Sequence, residues 1–418
     1  MMLKIDEVYQ TTITNLENEG NGVCKIKGVI TFVPKALESE KVLVRITDKK
    51  KSFARGKLVR VLEENEKRIV PDCPYYNECG GCNLRHQTSE ENLKFKKEKV
   101  INALKRIGKI DVKVDNVIKS FKENNYRNKA SFKVEEDKIG FYEEGTYRLI
   151  DIKNCMLLSD KINEALKVIR MYISLNDNNI TDITIKYGNA KDELLIIVNS
   201  NSNSDIKILN YLKNKLDNLK TLIFNDKIVY GDGYIRELIK DLMFNCSYKS
   251  FFQVNSYQVE TLYETAIKLA KLNKKDVALD LYCGVGTITC FLSKYISKVI
   301  GIEIVDDAVR DAKENAKLNN INNVSFICGD VSKKIDLIKD KIDVIFVDPP
   351  RKGLDKKVIG AIKKINPKKI VYISCNPVTM ARDLSYLNDL YDVKKVVPVD
   401  MFPNTAHTEC VCVLETRI

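Results

Sequence analysis

The feature that most constrains the fold is a series of five apolar segments in the C-terminal part of the chain, separated by amphipathic stretches. These segments cover residues 277–281, 299–304, 324–328, 344–347 and 370–374. Strands that are apolar on both faces and alternate with helices are typical of a parallel sheet covered on both sides. The sequence therefore predicts a doubly wound α/β domain from Gln258 onward.

The first of these segments runs into a glycine turn that contains Gly284 and Gly286. Glycine permits a tight turn and the close approach of a ligand to the backbone. Asp280 places a carboxylate beside the turn, where it would repel a pyrophosphate and attract a cation. Thr289 stands where a dinucleotide fingerprint has its third glycine. Both features favour S-adenosylmethionine as cofactor, with a nicotinamide-dependent dehydrogenase as the alternative.

Acidic residues follow three of the other strands. Glu303 ends the second strand, where it can accept hydrogen bonds from ribose hydroxyls, and Asp330 follows the third, near the expected adenine edge. Asp348 follows the fourth strand, and two prolines after it fix the backbone. Because parallel strands place their carboxyl ends at one edge of the sheet, we expect these three carboxylates to face the cofactor.

Cys375 follows the fifth strand, at the same edge. A thiolate there can add to carbon 6 of a uracil ring, and the resulting enolate can attack a sulfonium methyl group through carbon 5. The hydrogen on carbon 5 must then be removed by a base, for which His407 and Glu409 are both candidates. The residues alone leave this choice open, and a cysteine at a strand end is also common as buried filler.

Three of the twelve cysteines, Cys73, Cys79 and Cys82, lie in one short loop. The chain opens with charged residues and has no apolar segment long enough to cross a bilayer, so we expect a cytoplasmic protein with reduced cysteines and no membrane partner. Three thiolates do not complete a metal site, and Cys155 is the best fourth ligand. Four thiolates accept either zinc or a 4Fe-4S cluster, and spacing does not decide between them.

The N-terminal part combines basic charge with short strands. Lys and Arg exceed Asp and Glu by twelve, with clusters between residues 49 and 60 and between 94 and 109. Charge alone fits a polyanionic partner and solvated, lysine-rich helix faces equally well. Apolar runs at 26–33, 42–46 and 58–62, separated by glycines, predict a small β-barrel. A capping box at Thr88 predicts a helix that ends at Gly108, and residues 112–246 mix strands with a helix over 160–175.

Together these segments resemble the iron–sulfur RNA uracil-5-methyltransferases that act on large-subunit ribosomal RNA, and the first sixty residues are similar to a TRAM domain. The matching motifs are SFFQVN at 250–255, LYCG at 281–284, DPPR at 348–351, SCNP at 374–377 and HTEC at 407–410. The resemblance implies that Cys375 is the nucleophile and that Glu409, rather than His407, is the base. It also extends to the cysteine spacing, where it implies a 4Fe-4S cluster on Cys73, Cys79, Cys82 and Cys155.

The resemblance implies further site residues. Gln253 and Tyr282 would join Glu303 and Asp348 around the cofactor. Phe251 would stack near the extruded base, and the segment YRNK at 126–129, with Tyr126, Arg127 and Lys129, would contact single-stranded RNA.

We therefore expect a multidomain α/β protein, since 418 residues exceed the usual size of one core. The expected parts are a TRAM-like, OB-like barrel (1–62), a central α+β iron–sulfur domain (63–86 and 118–248) and a methyltransferase domain (87–117 and 249–418). The expected activity is methylation of a uridine at carbon 5 in 23S ribosomal RNA by a monomer. A transfer RNA T-loop enzyme is the alternative, and a non-catalytic iron–sulfur RNA-binding protein is disfavoured because Cys375, Glu409 and Gln253 are all present.

Overall fold

Six strands form an N-terminal sheet in the computed structural model, which describes residues 3–176, 179–202 and 205–417. They are β1 (Val8–Thr12), β2 (Asn15–Leu16), β3 (Gly22–Ile26), β4 (Val29–Val33), β5 (Lys41–Lys49) and β6 (Phe53–Glu63), in the order β1-β5-β6-β4-β3-β2. Alternate residues of β5 are buried in a hydrophobic core that is formed within this N-terminal region. The apolar run at 26–33 is not one strand, because Lys27 and Gly28 have φ of 48° and 81° and turn it into a hairpin.

A long helix follows the cysteine-containing loop. Helix α1 (Ser89–Ala103) begins where the Thr88 hydroxyl accepts a hydrogen bond from the Glu91 N–H at 3.3 Å, which confirms the predicted cap. One π-helical turn (Leu104–Gly108) continues it, and Lys109, in the left-handed region, ends it. A Cβ on Gly108 would lie 3.0 Å from the Ala381 carbonyl oxygen. Glycine at 108 therefore permits close packing on the C-terminal domain rather than forming the left-handed end of the helix.

The central region contains a mixed seven-stranded sheet in the order β13-β12-β11-β10-β7-β8-β9. A separate hairpin, β14–β15, is hydrogen-bonded to Asn315, which lies on helix α6 (Asp306–Leu318) of the C-terminal domain, and to Asn319, which follows that helix. The N–H groups of Asn245 and Met243 donate to the side-chain oxygens of Asn315 and Asn319, and the Asn319 amide group donates to the Met243 carbonyl oxygen. The predicted helix at 160–175 is confirmed. The elements are β7 (Lys129–Glu135), β8 (Lys138–Tyr142), β9 (Leu149–Asp151), α2 (Asp160–Leu175), β10 (Ile180–Gly188), β11 (Glu193–Ser200), α3 (Asp205–Lys213), β12 (Leu219–Phe224), β13 (Lys227–Tyr230), β14 (Tyr234–Ile239), β15 (Leu242–Ser247) and α6 (Asp306–Leu318).

The C-terminal sheet has the order β18-β17-β16-β19-β20-β22-β21, with the first five strands parallel and the last two antiparallel. The predicted parallel strands are confirmed to within one residue at each end. Val100 of α1 and Leu104 of the π-helical turn that follows belong to the core of this sheet. The elements are α4 (Ser256–Ala270), β16 (Val277–Leu281), α5 (Thr287–Leu292), β17 (Lys298–Glu303), β18 (Val324–Cys328), α7 (Val331–Lys334), β19 (Val344–Val347), α8 (Lys356–Ile365), β20 (Lys369–Ser374), α9 (Pro377–Leu387), β21 (Tyr391–Val399) and β22 (Glu409–Thr416).

Among the helices formed by the described residues, none is both long and apolar enough to span a membrane.

Candidate active site

The carboxyl edge of the C-terminal sheet brings the predicted nucleophile and base together. Cys375 directly follows β20, and Glu409 is the first residue of β22, which runs in the opposite direction. Ser374 and Cys410 are partners in the antiparallel register, so Cys375 and Glu409 are the next pair along this edge. The end of β20 and the start of β22 thus lie side by side, which places the Cys375 thiol beside the Glu409 carboxyl group.

The charges of Cys375, Glu409 and Asp348 act on one another, so the three groups lie near each other at this edge. Burial, followed by the charges of Glu409 and Asp348, raises the pKa of the Cys375 thiol to about 11, and Arg351 opposes this rise. Burial and the charge of Asp348 hold the pKa of Glu409 well above its usual value. Burial also raises the pKa of Asp348 to about 7. A positive charge brought into this site would lower the pKa of all three groups and favour their ionised forms.

The turn after Asp348 is joined to the segment that carries Cys375. The carbonyl oxygen of Arg351 accepts hydrogen bonds from the Asn376 amide nitrogen Nδ2 and from the Thr379 hydroxyl, each at 3.1 Å. The Arg351 guanidinium also lies 3.3 Å from both ring nitrogens of His407. Burial, with Arg351 nearby, lowers the pKa of His407 to about 4, so the imidazole is neutral near pH 7.

Asp383 is a site residue that we did not predict from the sequence. It is fully buried in α9 and accepts hydrogen bonds from the Leu354 N–H at 2.7 Å and from the Tyr372 hydroxyl at 2.8 Å. These bonds fix the end of the Asp348–Arg351 turn against β20. An acidic residue on the apolar face of a helix was the available signal, because a buried carboxylate needs partners of this kind.

The cofactor turn has the open geometry that a bound ligand requires. Gly284 and Gly286 have positive φ angles of 53° and 81°. Tyr282, two residues before Gly284, also has a positive φ angle, of 67°. A Cβ on Gly284 would meet nothing within 4 Å, whereas one on Gly286 would lie 3.0 Å from the Ala312 Cβ. The first glycine therefore leaves free space beside the backbone, and the second permits close packing of the turn on α6.

Asp280 and Glu303 surround this turn with carboxylates. Glu303 accepts hydrogen bonds from the Gly284 N–H at 3.1 Å and from the N–H groups of Ile304 and Val305. Asp280 is fully buried and accepts a bond from the Thr289 hydroxyl at 2.6 Å, while its other oxygen has no hydrogen-bond partner among the described residues. Burial raises the pKa of Asp280 to about 7. A buried carboxylate oxygen without a partner fits a cationic cofactor such as S-adenosylmethionine.

Of the other predicted cofactor residues, Tyr282 and Asp330 follow strands of the C-terminal sheet at this edge, whereas Gln253 lies in the segment before α4. Asp330 follows β18 and caps α7 by accepting a hydrogen bond from the Ser332 N–H at 2.8 Å. Tyr282 is half-buried, and its pKa is raised to about 12 by burial and by the charge of Asp330, which places the two side chains near each other. Gln253 is half-buried in the segment before α4, where its carbonyl oxygen accepts a bond from Asn128.

The loop at 400–408, which we call the base loop because it leads directly to Glu409, is held first by helix α1. Lys96 is fully buried, and its ammonium group donates to the Asp400 carboxylate and, at 2.9 Å, to the Phe402 carbonyl oxygen. Lys99 donates to the Ala406 carbonyl oxygen at 2.9 Å. Two lysines of one helix thus fix both ends of the base loop.

Residues from two other segments also form hydrogen bonds with the base loop. Asn83 directly follows Cys82 in the cysteine loop. Its side-chain oxygen Oδ1 accepts a hydrogen bond from the Ala406 N–H at 2.8 Å. The Leu84 N–H donates to the Asn404 carbonyl oxygen at 3.1 Å. The Asn255 Nδ2 group donates to the Met401 carbonyl oxygen at 3.0 Å. The loop that leads to Glu409 is therefore held by chain segments that lie far from it in sequence.

All four predicted cluster cysteines line one cavity of about 670 Å³. Their thiols are free, and burial raises the pKa of Cys79, Cys82 and Cys155, that of Cys82 to about 12. In the part of the chain that the structure describes, no three His, Cys, Asp or Glu side chains converge as they would around a single ion. The four thiols, including that of Cys73, therefore face one space without closing on a point.

The predicted RNA-contacting residues fall in two different environments. Phe251 is 68% exposed, and Arg127 and Lys129 are half-buried; all three line the same cavity as the cysteines. Tyr126, in contrast, is only 1% exposed, and its hydroxyl donates to the Pro403 carbonyl oxygen at 3.2 Å. The expectation that the Tyr126 ring contacts RNA is corrected here, because the ring packs inside and supports the base loop.

The fold and site define a class: a seven-stranded sheet with a glycine turn, flanking carboxylates and an open cofactor space is that of an S-adenosylmethionine-dependent methyltransferase. Residues 88–417 match the family model described as tRNA (Uracil-5-)-methyltransferase, and residues 4–59 match the TRAM domain. The chain belongs to the tRNA (uracil-5-)-methyltransferase family and carries an N-terminal TRAM domain. It is an RNA (uracil-5-)-methyltransferase that uses S-adenosylmethionine.

Similar proteins match over the full length of the chain. An uncharacterized RNA methyltransferase of Caldanaerobacter subterraneus is 40% identical, with 99% of each chain covered. One of Clostridium acetobutylicum is 36% identical, covering 99% of this chain and 98% of the relative. The solved structure of Pyrococcus abyssi tRNA (uracil-54, C5)-methyltransferase in complex with S-adenosyl-L-homocysteine is 26% identical with a TM-score of 0.79, covering 97% of this chain and 100% of that one.

Proposed function

We propose that this enzyme methylates carbon 5 of a uridine in 23S ribosomal RNA through a covalent adduct between Cys375 and carbon 6, with Glu409 as the base. The observation that carries the proposal is the adjacency of Cys375 and Glu409 at the sheet edge, beside Asp348 and the cofactor turn. Of the two candidate bases, Glu409 is 2% exposed and faces the site, whereas His407 contacts Arg351.

The reaction conserves atoms and charge. The Cys375 thiolate adds to carbon 6, which moves an electron pair toward the oxygen on carbon 4 and makes carbon 5 nucleophilic. S-adenosylmethionine, when bound, would supply the methyl group that carbon 5 takes; the electron pair of the broken S–CH3 bond would stay on sulfur, and neutral S-adenosylhomocysteine would leave. Glu409 then removes the hydrogen from carbon 5, and the electron pair left behind expels the Cys375 thiolate from carbon 6. Arg351 lowers the pKa of both Cys375 and Glu409, which favours the ionised forms that these steps require.

We further propose that Cys73, Cys79, Cys82 and Cys155 hold a 4Fe-4S cluster. Four free thiols line one cavity, and four cysteine thiolates are the ligand set of a 4Fe-4S cluster. The spacing of these cysteines, which resembles that of the iron–sulfur RNA uracil-5-methyltransferases, favours the cluster over a zinc ion. Anaerobically purified protein should be brown and contain about four iron and four sulfide per chain. Cys155→Ala should lose this iron, whereas Cys328→Ala, which removes an exposed cysteine elsewhere, should keep it. Stoichiometric zinc without sulfide would contradict the proposal.

A transfer RNA T-loop uridine is the second candidate substrate, favoured by the family description and by the name of the Pyrococcus structure. Ribosomal RNA is favoured by the extent of the surface before the catalytic sheet, where a TRAM domain and a cavity lined by Arg127, Lys129 and Phe251 suit an irregular single-stranded region.

The two substrates are separated by offering methyl-labelled S-adenosylmethionine with protein-free 23S ribosomal RNA and with total transfer RNA. We expect labelling of a loop uridine in 23S RNA, weakened by added salt because lysine and arginine contacts to phosphate release counterions. Labelling of transfer RNA alone would replace the proposed substrate and leave the catalytic chemistry unchanged.

A further inference from the structure

An exposed aromatic pair lies beside the catalytic edge and has no role in the chemistry described above. Phe121 is 79% exposed and Tyr257 is 44% exposed. Their rings are stacked, with centroids 6.4 Å apart and planes 27° from parallel, and the Lys122 ammonium lies 4.0 Å from the centre of the Tyr257 ring. Large aromatic rings exposed next to each other mark a surface that a partner covers, because contact between apolar surface and water is unfavourable.

The pair is held in place by a buried side chain. Gln258 is 1% exposed, accepts a hydrogen bond from the Phe121 N–H at 3.3 Å and donates one to the Lys119 carbonyl oxygen at 3.1 Å. Tyr257 precedes Gln258 on the first turn of α4, so one helix end fixes both rings. The platform is therefore pre-formed rather than mobile, which lowers the entropic cost of binding.

The position of the platform connects it to the active site. Ile118 pairs with Val399 at the end of β21, and the Asp400 N–H donates to the Ile118 carbonyl oxygen at 2.9 Å. The segment with Phe121 thus starts beside the base loop. Tyr257, in turn, follows Phe251 by only six residues along the chain. Because Val399 pairs with Glu409, the segment that carries Phe121 starts at the carboxyl edge of the C-terminal sheet.

We propose that Phe121, Tyr257 and Lys122 form a stacking platform for an unpaired base of the substrate RNA, separate from the target uridine. The proposal rests on the proposed function only in taking RNA as the substrate. Stacked aromatic rings accept any base face, and a cation beside them complements the adjacent phosphate. Lys122 suits this role because, among the described residues, no carboxylate lies within ion-pair distance of it, whereas Lys119 is paired with Glu123.

The chain contains no tryptophan, which provides a direct binding assay. Phe121→Trp introduces a single indole into the platform, and its fluorescence should be quenched when protein-free 23S RNA is added, because a base stacks on it. Tyr295→Trp is the matched control: Tyr295 is 38% exposed and lies before β17, at the opposite edge of the sheet. Its fluorescence should not respond to RNA.

Kinetics provide the second measurement. The double variant Phe121→Ala with Tyr257→Ala should raise KM for RNA about tenfold, the order expected for loss of one stacked base, with the loss falling on KM rather than on kcat. The single variant Phe121→Tyr, which keeps an aromatic ring, should have the wild-type KM, and so should the control variant Tyr295→Ala. Both rings are exposed enough that their removal has little effect on folding.

The outcomes separate the two levels of inference. If wild-type enzyme labels RNA but Phe121→Trp shows no quenching and the double variant keeps its KM, the platform does not bind RNA and the inference is rejected. If wild-type enzyme labels no RNA, the proposed function fails, while quenching of Phe121→Trp by RNA still tests the platform by itself. A platform that is instead quenched by a protein partner and not by RNA also rejects the inference.

Discussion

The cofactor turn and the base loop face the same site, but they are held in place in opposite ways. The Gly284 N–H and the Glu303 carboxylate that bind each other are 19 residues apart, within one strand-helix-strand unit. Lys99 and the Ala406 carbonyl oxygen that it binds are 307 residues apart. The cofactor half of the site is therefore local in sequence, whereas the position of Glu409, the proposed base, depends on packing between the first quarter of the chain and its last residues.

The largest effect should come from the pair at which the two halves meet. Cys375→Ala should lower turnover at least about a thousandfold and abolish any covalent adduct, because carbon 5 is not activated without thiolate addition. Glu409→Gln should permit addition and methyl transfer but slow proton removal, so a methylated RNA adduct should accumulate and survive denaturing electrophoresis. Cys328→Ala, an exposed cysteine, should behave as wild type. Adduct trapping by His407→Ala, with normal turnover of Glu409→Gln, would reassign the base.

The next largest effect should be a loss of stability when the contacts between helix α1 and the base loop are removed. Lys96→Met leaves Asp400 buried without its cation, which should cost about 3–5 kcal/mol of unfolding free energy, measured with urea. Adding Asp400→Leu should restore part of this loss, because removing both charges is less unfavourable than removing one. Lys94→Met, which breaks an exposed ion pair with Glu91 on the same helix, should cost less than about 1 kcal/mol. Equal losses in Lys96→Met and Lys94→Met would contradict the role given to the buried pair.

In the cofactor half of the site, the charge of Asp280 should make cofactor binding depend on pH. The pKa of Asp280 is raised to about 7 in the folded enzyme, above its ordinary value in an unfolded chain, so its contribution to stability is present at low pH and is lost as pH rises toward about 7. A bound cation favours the ionised form. Stabilisation by S-adenosylmethionine in thermal unfolding should therefore be greater at about pH 8 than at about pH 6.

Asp280→Asn tests the same charge. We expect it to flatten this pH dependence and to weaken cofactor binding about tenfold, since one opposite charge is lost from a buried site. Asp241→Asn, which changes an exposed carboxylate, should leave both properties unchanged. An Asp280→Asn enzyme with wild-type affinity and pH dependence would show that Asp280 does not sense the cofactor charge.

The smallest effect should come from the link between the cysteine loop and the base loop. Asn83→Ala removes the hydrogen bond to the Ala406 N–H, at a cost of about 1 kcal/mol in stability. Because this bond orients the loop before Glu409, proton removal should slow more than methyl transfer, and some adduct should appear in rapid-quench experiments. Asn65→Ala, a control at a hydrogen-bonding asparagine outside the base loop, should show no adduct. A uniform slowing of both steps by Asn83→Ala would indicate a general structural role.

The same contrast explains how far the sequence could predict this molecule. The parallel strands and the helix capped by Thr88 are local patterns, and they are confirmed almost to the residue. The hairpin at Lys27 and Gly28 was missed because two left-handed residues interrupt an apolar run. Tyr126 was misjudged because burial against Pro403 depends on contacts across 277 residues. Asp383, Asn83 and Lys96 escaped prediction for the same reason: their partners are backbone groups or charges that only the tertiary fold brings to them.

The buried ammonium group of Lys96 has a consequence for how the enzyme is made. Its counter-ion, Asp400, lies 304 residues later in the chain, so during synthesis the helix that carries Lys96 leaves the ribosome long before the carboxylate that neutralises it. Domains generally fold in order of their appearance, but burying this lysine without Asp400 is unfavourable. We therefore expect helix α1 to reach its final position only after the base loop, and with it Glu409, has been synthesised.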